Sequence, residues 1–79
     1  MKRLTWLQAK RIEAGYTLEE LAKKLGIHPS YLSRIENYTQ KLSRRLLAKY
    51  CELLGITEED YRSAFWNNIM ARISVEMEI

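Results

Sequence analysis

The sequence is poor in the residues from which disulfide frameworks and metal centres are built. It has one cysteine, Cys51, and one histidine, His28. A single cysteine cannot form an internal disulfide, and one histidine with one cysteine cannot complete a zinc site of these ligand types. We therefore expect a chain that has no disulfide, no metal site and no cofactor.

Long apolar runs and catalytic patterns are also lacking. No stretch is apolar enough to span a bilayer, and the chain does not open on a signal-peptide pattern. There is no visible Ser/His/Asp set, metal-ligand cluster or glycine-rich phosphate loop. We therefore expect a cytoplasmic protein that has no membrane partner and is not an enzyme.

The composition that is present indicates one small globular domain. Of 79 residues, 47% are hydrophobic and 29% are charged, with a net charge of +3. A core of this size is marginally stable alone, and such domains often gain stability by oligomerising. The mild basic excess is compatible with a polyanionic partner, and equally with simple solubility.

The most informative stretch runs from residue 17 to residue 37 and predicts two short helices, Leu18–Leu25 and Pro29–Glu36. Thr17 with Glu20 forms a capping box before the first helix. Gly26 stands where a left-handed residue closes that helix. The two helices are therefore joined by a tight turn.

The packing residues of this stretch indicate how its helices meet. Ala22 is small enough to let a second helix cross closely, and Leu32 and Ile35 are spaced to face back toward it. This is the helix-turn-helix pattern, in which the second helix enters the major groove of DNA.

At this point the chain resembles the Cro/repressor-type helix-turn-helix family (lambda-repressor-like, XRE-type). The resemblance covers about residues 4–61 and is carried by Arg11, Gly15, Thr17, Glu20, Leu21, Ala22, Leu25, Gly26, Ile27, Leu32, Ser33, Ile35, Glu36, Asn37, Ser43, Leu46, Leu54, Gly55 and Ile56. It implies an all-α, five-helix DNA-binding domain over residues 1–61. Residues 62–79 extend beyond the minimal family domain, and we expect them to hold the end of the last helix and a dimerisation strand.

The resemblance also implies roles for individual residues. In the family, the residues matching Arg11 and Glu36 form a structural ion pair between helix 1 and the recognition helix. The second helix of the motif faces bases and nearby phosphates, and Arg34 can fork onto guanine O6 and N7. An ordinary exposed arginine remains the alternative. The predicted DNA-binding residues are Thr17, His28, Pro29, Ser30, Tyr31, Ser33, Arg34, Asn37, Tyr38, Lys41 and Arg44.

Three positions depart from the family pattern. Many relatives have a phosphate-binding glutamine where this chain has Leu18. They usually have glycine at the position of Tyr38 and proline at that of Leu42. We therefore expect a different loop path after the recognition helix. These departures also keep open a rival function, a protein-interaction adaptor that has lost specific DNA binding.

In the C-terminal segment the spacing of apolar residues changes from helical to alternating. Ile73, Val75, Met77 and Ile79 alternate with polar residues, which predicts a strand. A longer last helix and a frayed tail are the alternatives. A strand in a helical domain needs a partner, so we expect a homodimer. Its predicted interface is Phe65, Trp66, Ile69, Ile73, Val75 and Met77.

The function implied is sequence-specific binding of double-stranded DNA by a transcriptional regulator, most simply a dimeric repressor on a near-palindromic operator. Phage repressors, antitoxin regulators and restriction–modification controllers share this architecture, and the sequence does not choose among them. A protein partner such as a toxin or another regulator stays open.

Overall fold

A computed structural model describes the backbone of residues 4–77 and the side chains of residues 4–70. Within that range the chain forms five α-helices and no strand, so the predicted all-α, five-helix fold is confirmed. The helices are α1 (Trp6–Glu13), α2 (Leu18–Leu25), α3 (Pro29–Glu36), α4 (Arg44–Leu54) and α5 (Glu58–Met77). None of these helices is long and apolar enough to cross a membrane.

Short polar pairs determine where several of these helices begin. Reciprocal capping boxes precede α1, α2 and α5, formed by Thr5 with Gln8, Thr17 with Glu20, and Thr57 with Asp60. Each pair satisfies backbone N–H groups that the first helical turn leaves free. Ser43 occupies the N-cap position of α4, but its hydroxyl makes no capping hydrogen bond.

The core lies where α1, α2, α3 and α4 converge, and α5 covers it from one side. It is made of aliphatic and aromatic side chains with little or no solvent exposure, chiefly Leu7, Leu21, Leu32, Ile35 and Tyr50. Burying this apolar surface stabilises the domain and holds α3 in place against its neighbours.

The predicted C-terminal strand is wrong for residues 73–77. The backbone stays helical through Ile73 and Val75 to Met77, while Ile79 lies outside the described residues. A helix satisfies its own backbone groups, whereas a lone strand leaves its groups without partners. The alternative of a longer last helix therefore describes this segment, and the predicted division between residues 61 and 62 falls inside α5.

Candidate nucleic-acid interface

The turn between α2 and α3 sets which face of α3 reaches solvent. Gly26 ends α2 in the left-handed conformation, with φ at 69°. On α3, Leu32 and Ile35 are fully buried, and Ala22 on α2 is buried as well. The side of α3 opposite these contacts is therefore free to meet a partner.

That outer face carries most of the predicted base-reading side chains. Ser30 and Arg34 are exposed, and three further residues are half-buried, namely Pro29, Tyr31 and Ser33. Within the described residues no carboxylate forms a salt bridge with Arg34. Its guanidinium is thus available to an acceptor outside the protein, such as a guanine edge or a phosphate.

His28 caps the N-terminus of α3 with its side chain. Its Nδ1 accepts a hydrogen bond from the backbone N–H of Ser30 at 3.1 Å, and Ser30 Oγ lies 2.8 Å from the same nitrogen. Pro29 follows at the first helical position, where its missing N–H has no intrahelical partner to lose. The imidazole therefore lies at the N-terminal end of α3, beside the exposed Ser30.

A buried ion pair holds the other end of α3 to α1. Arg11 Nε donates to Glu36 Oε2 at 2.7 Å, so the structure contains the pair that the resemblance implied. Glu36 is 1% exposed and Arg11 14%. Burial raises the pKa of the Glu36 carboxyl, and the hydrogen bond from Arg11 opposes part of that rise. The pair joins helix 1 to the candidate recognition helix.

The loop after α3 follows a regular helix-ending pattern despite its unusual sequence. Tyr38 is left-handed, with φ at 61°. Its N–H donates to Ile35 O, and the N–H of Thr39 donates to Arg34 O, which together make a Schellman motif. Tyr38 therefore takes the conformation that glycine adopts most readily, and the substitution does not unwind this helix end.

The ring of Tyr38 explains how a bulky residue is accommodated there. It is 8% exposed and stands edge-on to Phe65, with 6.1 Å between ring centroids. The favourable burial of the ring offsets the strain of the left-handed backbone. Because the Tyr38 side chain lies in the core, the predicted contact of this residue with DNA stays a prediction that only its backbone could fulfil.

Two tyrosines hold the next part of the loop. Tyr31 on α3 donates its hydroxyl to Lys41 O at 3.4 Å, and Tyr61 on α5 accepts from the backbone N–H of Leu42 at 3.3 Å. Sequence reasoning missed Tyr61, which lies 19 residues beyond Leu42, since no local signal links the two. These contacts fix the loop that carries Lys41 relative to α3.

The loop and α4 supply exposed positive charge. Lys41 and Arg44 line one groove of about 440 Å³ together with Arg62, whose place there the sequence did not indicate. The apolar side of the groove includes Leu47, Phe65 and Trp66. This arrangement presents cations that can meet phosphates beside an apolar surface that can meet protein.

Two further predicted DNA-binding residues, Asn37 and Thr17, already make a side-chain hydrogen bond within the chain, and each keeps one group free. Asn37 Nδ2 donates to Ser33 O at 2.9 Å, which leaves its side-chain oxygen free. Thr17 Oγ1 accepts from the backbone N–H of Glu20, so its own proton can still be donated to a phosphate. The carboxylates of Glu19 and Glu20 are exposed in the same first turn and oppose an anion there.

Leu18 is partly buried and packs against the core, as a side chain without hydrogen-bonding groups can. It therefore offers no substitute for the phosphate-binding glutamine of many relatives. On α2, the groups that could still meet a phosphate are therefore the Thr17 hydroxyl and the free N–H groups at the start of the helix.

Comparison with known proteins gives two similarities. A family model described as Helix-turn-helix matches residues 7–61, from the second residue of α1 to the start of α5. A protein of Bacillus subtilis (strain 168), named "Uncharacterized HTH-type transcriptional regulator YqaF", is 44% identical over 50 residues. That segment is 63% of this chain and 66% of the relative's length. No solved structure matches the chain significantly.

Proposed function

Because the chain belongs to the helix-turn-helix family, we propose that it is a transcriptional regulator that binds double-stranded DNA at specific sequences. The observation that carries this proposal is the orientation of α3. Its apolar face is buried against α2, while Ser30 and Arg34 are exposed on the opposite face. The name of the Bacillus subtilis relative, a transcriptional regulator, supports the same assignment.

The proposed DNA contacts are of two kinds, phosphate contacts that position the protein and base contacts that give sequence specificity. Lys41, Arg44 and Thr17 bind phosphates and set the orientation of the domain on the duplex. Ser30, Ser33 and Arg34 then meet base edges in the major groove. Phosphate binding releases counterions, so affinity falls steeply as salt is raised.

We propose a homodimer formed through α5. Trp66 is 60% exposed, Met70 is exposed as well, and Phe65 is half-buried against the core. On a continuous helix, positions 66, 69, 73 and 77 recur at helical spacing and share one side, whereas position 75 falls on another. The inclusion of Val75 in the predicted interface depended on strand alternation, so the proposed dimer rests on the described side chains of Phe65, Trp66 and Ile69.

A two-fold dimer gives the proposal a geometric consequence. Its two α3 helices would enter successive major grooves about 34 Å apart, which corresponds to a near-palindromic operator. Bound over a promoter, such a dimer would block RNA polymerase by occupancy, which is the simplest mode of repression.

Selection from a random duplex DNA pool at near-physiological salt, followed by sequencing, tests the proposal. We expect enrichment of a near-palindrome whose half-sites are one helical turn apart. A single half-site without symmetry would contradict the dimer and leave specific binding intact. The absence of any enrichment by folded protein would contradict sequence-specific DNA binding.

That last outcome would favour a second candidate, a protein-interaction adaptor. The apolar Leu18 at the start of α2 and the groove beside Trp66 are the features that support it. The exposed cations of the loop and α4 favour DNA instead, since an adaptor surface does not require them.

A further inference from the structure

The end of α3 that points to the candidate DNA surface carries an unusual cap. Serine, threonine, aspartate and asparagine are the preferred N-cap residues, and histidine is not among them. Here His28 Nδ1 lies within hydrogen-bonding distance of two atoms of Ser30, the backbone nitrogen at 3.1 Å and Oγ at 2.8 Å. The cap residue and the first exposed side chain of α3 are thus directly coupled.

The backbone hydrogen bond determines where the protons lie. A backbone N–H can only donate, so Nδ1 must accept and the imidazole proton is on Nε2. Because Nδ1 carries no proton, the short contact with Ser30 requires the serine hydroxyl to donate its own proton. The single lone pair of Nδ1 therefore accepts from both donors of Ser30.

This arrangement leaves Ser30 Oγ with lone pairs only toward solvent. An oxygen that can only accept does not hydrogen-bond a phosphate oxygen, which is also an acceptor. In the major groove it can pair with the amino groups of adenine N6 and cytosine N4, and not with the keto oxygens of guanine O6 or thymine O4. Ser30 is therefore suited to base reading and unsuited to phosphate binding.

We propose that His28 is a positioning residue that makes Ser30 an obligatory acceptor, so that Ser30 selects adenine or cytosine over guanine or thymine at one position of each half-site. This inference rests on the proposed function, because it assumes that α3 lies in the major groove. A free serine hydroxyl can donate or accept a hydrogen bond, so by itself it would not distinguish amino bases from keto bases. The hydrogen bond to His28 would impose that distinction at one base position.

The first test compares the wild-type protein with Ser30→Ala on duplexes that vary each half-site position in turn. Wild type should prefer an amino base at one position by about 2- to 10-fold in Kd, the range for one hydrogen bond. Ser30→Ala should lose that preference and keep the others. Purine in place of adenine, or 2-pyrimidinone in place of cytosine, removes the amino group and should weaken wild type but not the variant.

The second test separates the positioning role from simple capping. Glycine caps helices nearly as well as the polar residues, so His28→Gly keeps α3 while freeing the Ser30 hydroxyl to donate or accept. It should tolerate keto bases at the position that wild type restricts. Asparagine offers an acceptor oxygen in place of Nδ1, so His28→Asn should retain the amino preference. A purely structural role would weaken binding to all sequences equally.

Four outcomes overturn the inference while leaving specific DNA binding in place. One is a keto preference at the Ser30 position, which would mean that the imidazole donates to Oγ. The second is an unchanged preference profile for Ser30→Ala. The others are retention of the amino preference by His28→Gly and its loss in His28→Asn. A wild-type protein that shows no sequence preference at any position overturns the proposed function itself.

Discussion

The carboxylate of Glu36, near the end of α3, accepts a 2.7 Å hydrogen bond from Arg11 Nε on α1. Arg11 also donates from Nη1 to the backbone carbonyl of Tyr16 at 3.0 Å. One guanidinium thus connects α1, the segment before α2 and the candidate recognition helix. The position of α3 against α1 therefore depends on this one side chain as well as on apolar packing.

Replacing Arg11 by alanine should destabilise the protein by roughly 3–5 kcal/mol, because it leaves the buried Glu36 carboxylate without a partner. The free energy of unfolding, measured by chemical denaturation, tests this. Lys10→Ala is the matched control, since its salt bridge with Glu13 is largely exposed and should contribute about 1 kcal/mol or less. Equal effects of the two substitutions would contradict a stabilising role for the buried pair.

The free energy of unfolding should depend on pH through the carboxyl group of Glu36. The pKa of Glu36 is raised in the folded state above its ordinary value of 4.5. The folded state therefore binds the proton more tightly, so this group's stabilising contribution is present below pH 4.5 and is lost as the pH rises through the folded pKa.

Without the opposing effect of Arg11, the Arg11→Ala variant should lose stability more steeply over this upward pH range than wild type. Adding Glu36→Gln should flatten that dependence. Denaturation curves at several pH values provide the measurement, and parallel profiles for wild type and Arg11→Ala would exclude the coupling.

At most positions an alanine variant is more stable than a glycine variant, but at Tyr38 we expect the glycine variant to be the more stable. Truncating the buried ring should cost about 3–5 kcal/mol in either variant. Tyr38→Ala should be the less stable by about 1 kcal/mol, because a left-handed backbone strains alanine and not glycine. The control is Ala48→Gly on the exposed side of α4, where glycine should be destabilising. Thermal unfolding compares the variants, and a Tyr38→Gly less stable than Tyr38→Ala would contradict the strained conformation.

Arg34 should differ from Lys41 in the loop and Arg44 on α4 in how its loss affects DNA binding. Arg34→Ala should weaken binding to the selected operator by about 5- to 150-fold and relax the preference at one base position. Lys41→Ala or Arg44→Ala should weaken binding to all sequences and reduce the salt slope by about one. Lys24→Ala, which removes an exposed charge from α2, is the control. A uniform loss for Arg34→Ala would reassign it to phosphate.

Trp66→Ala should weaken the proposed dimer by about 30-fold or more, because exposed tryptophans that become buried in interfaces contribute about 2 kcal/mol or more. Sedimentation measures the mass of the protein at increasing concentration. Trp6→Ala removes a partly exposed tryptophan from α1 and should leave the mass unchanged. A dimer that survives Trp66→Ala would place the interface elsewhere.

The sequence alone determined the local features of this protein. These features are the capping box at Thr17, the turn at Gly26 and the facing positions of Ala22 and Leu32. Each depends on residues that are close together in the sequence, so each could be predicted from it. The resemblance added the partner of Arg11, which local spacing could not show. From these features the helix-turn-helix fold and the outer face of α3 could be predicted.

Other features were decided only by the tertiary structure, because they depend on residues far apart in the sequence or on a choice between helix and strand. Tyr38 could be assigned to the core only once Phe65 was seen against its ring. The alternation of Ile73, Val75 and Met77 suits a strand, yet the segment continues α5, since a helix satisfies its own backbone groups. The direction of the Ser30 hydroxyl depends on the side-chain geometry of His28, because hydrogen-bond polarity is set by atoms and not by residue type.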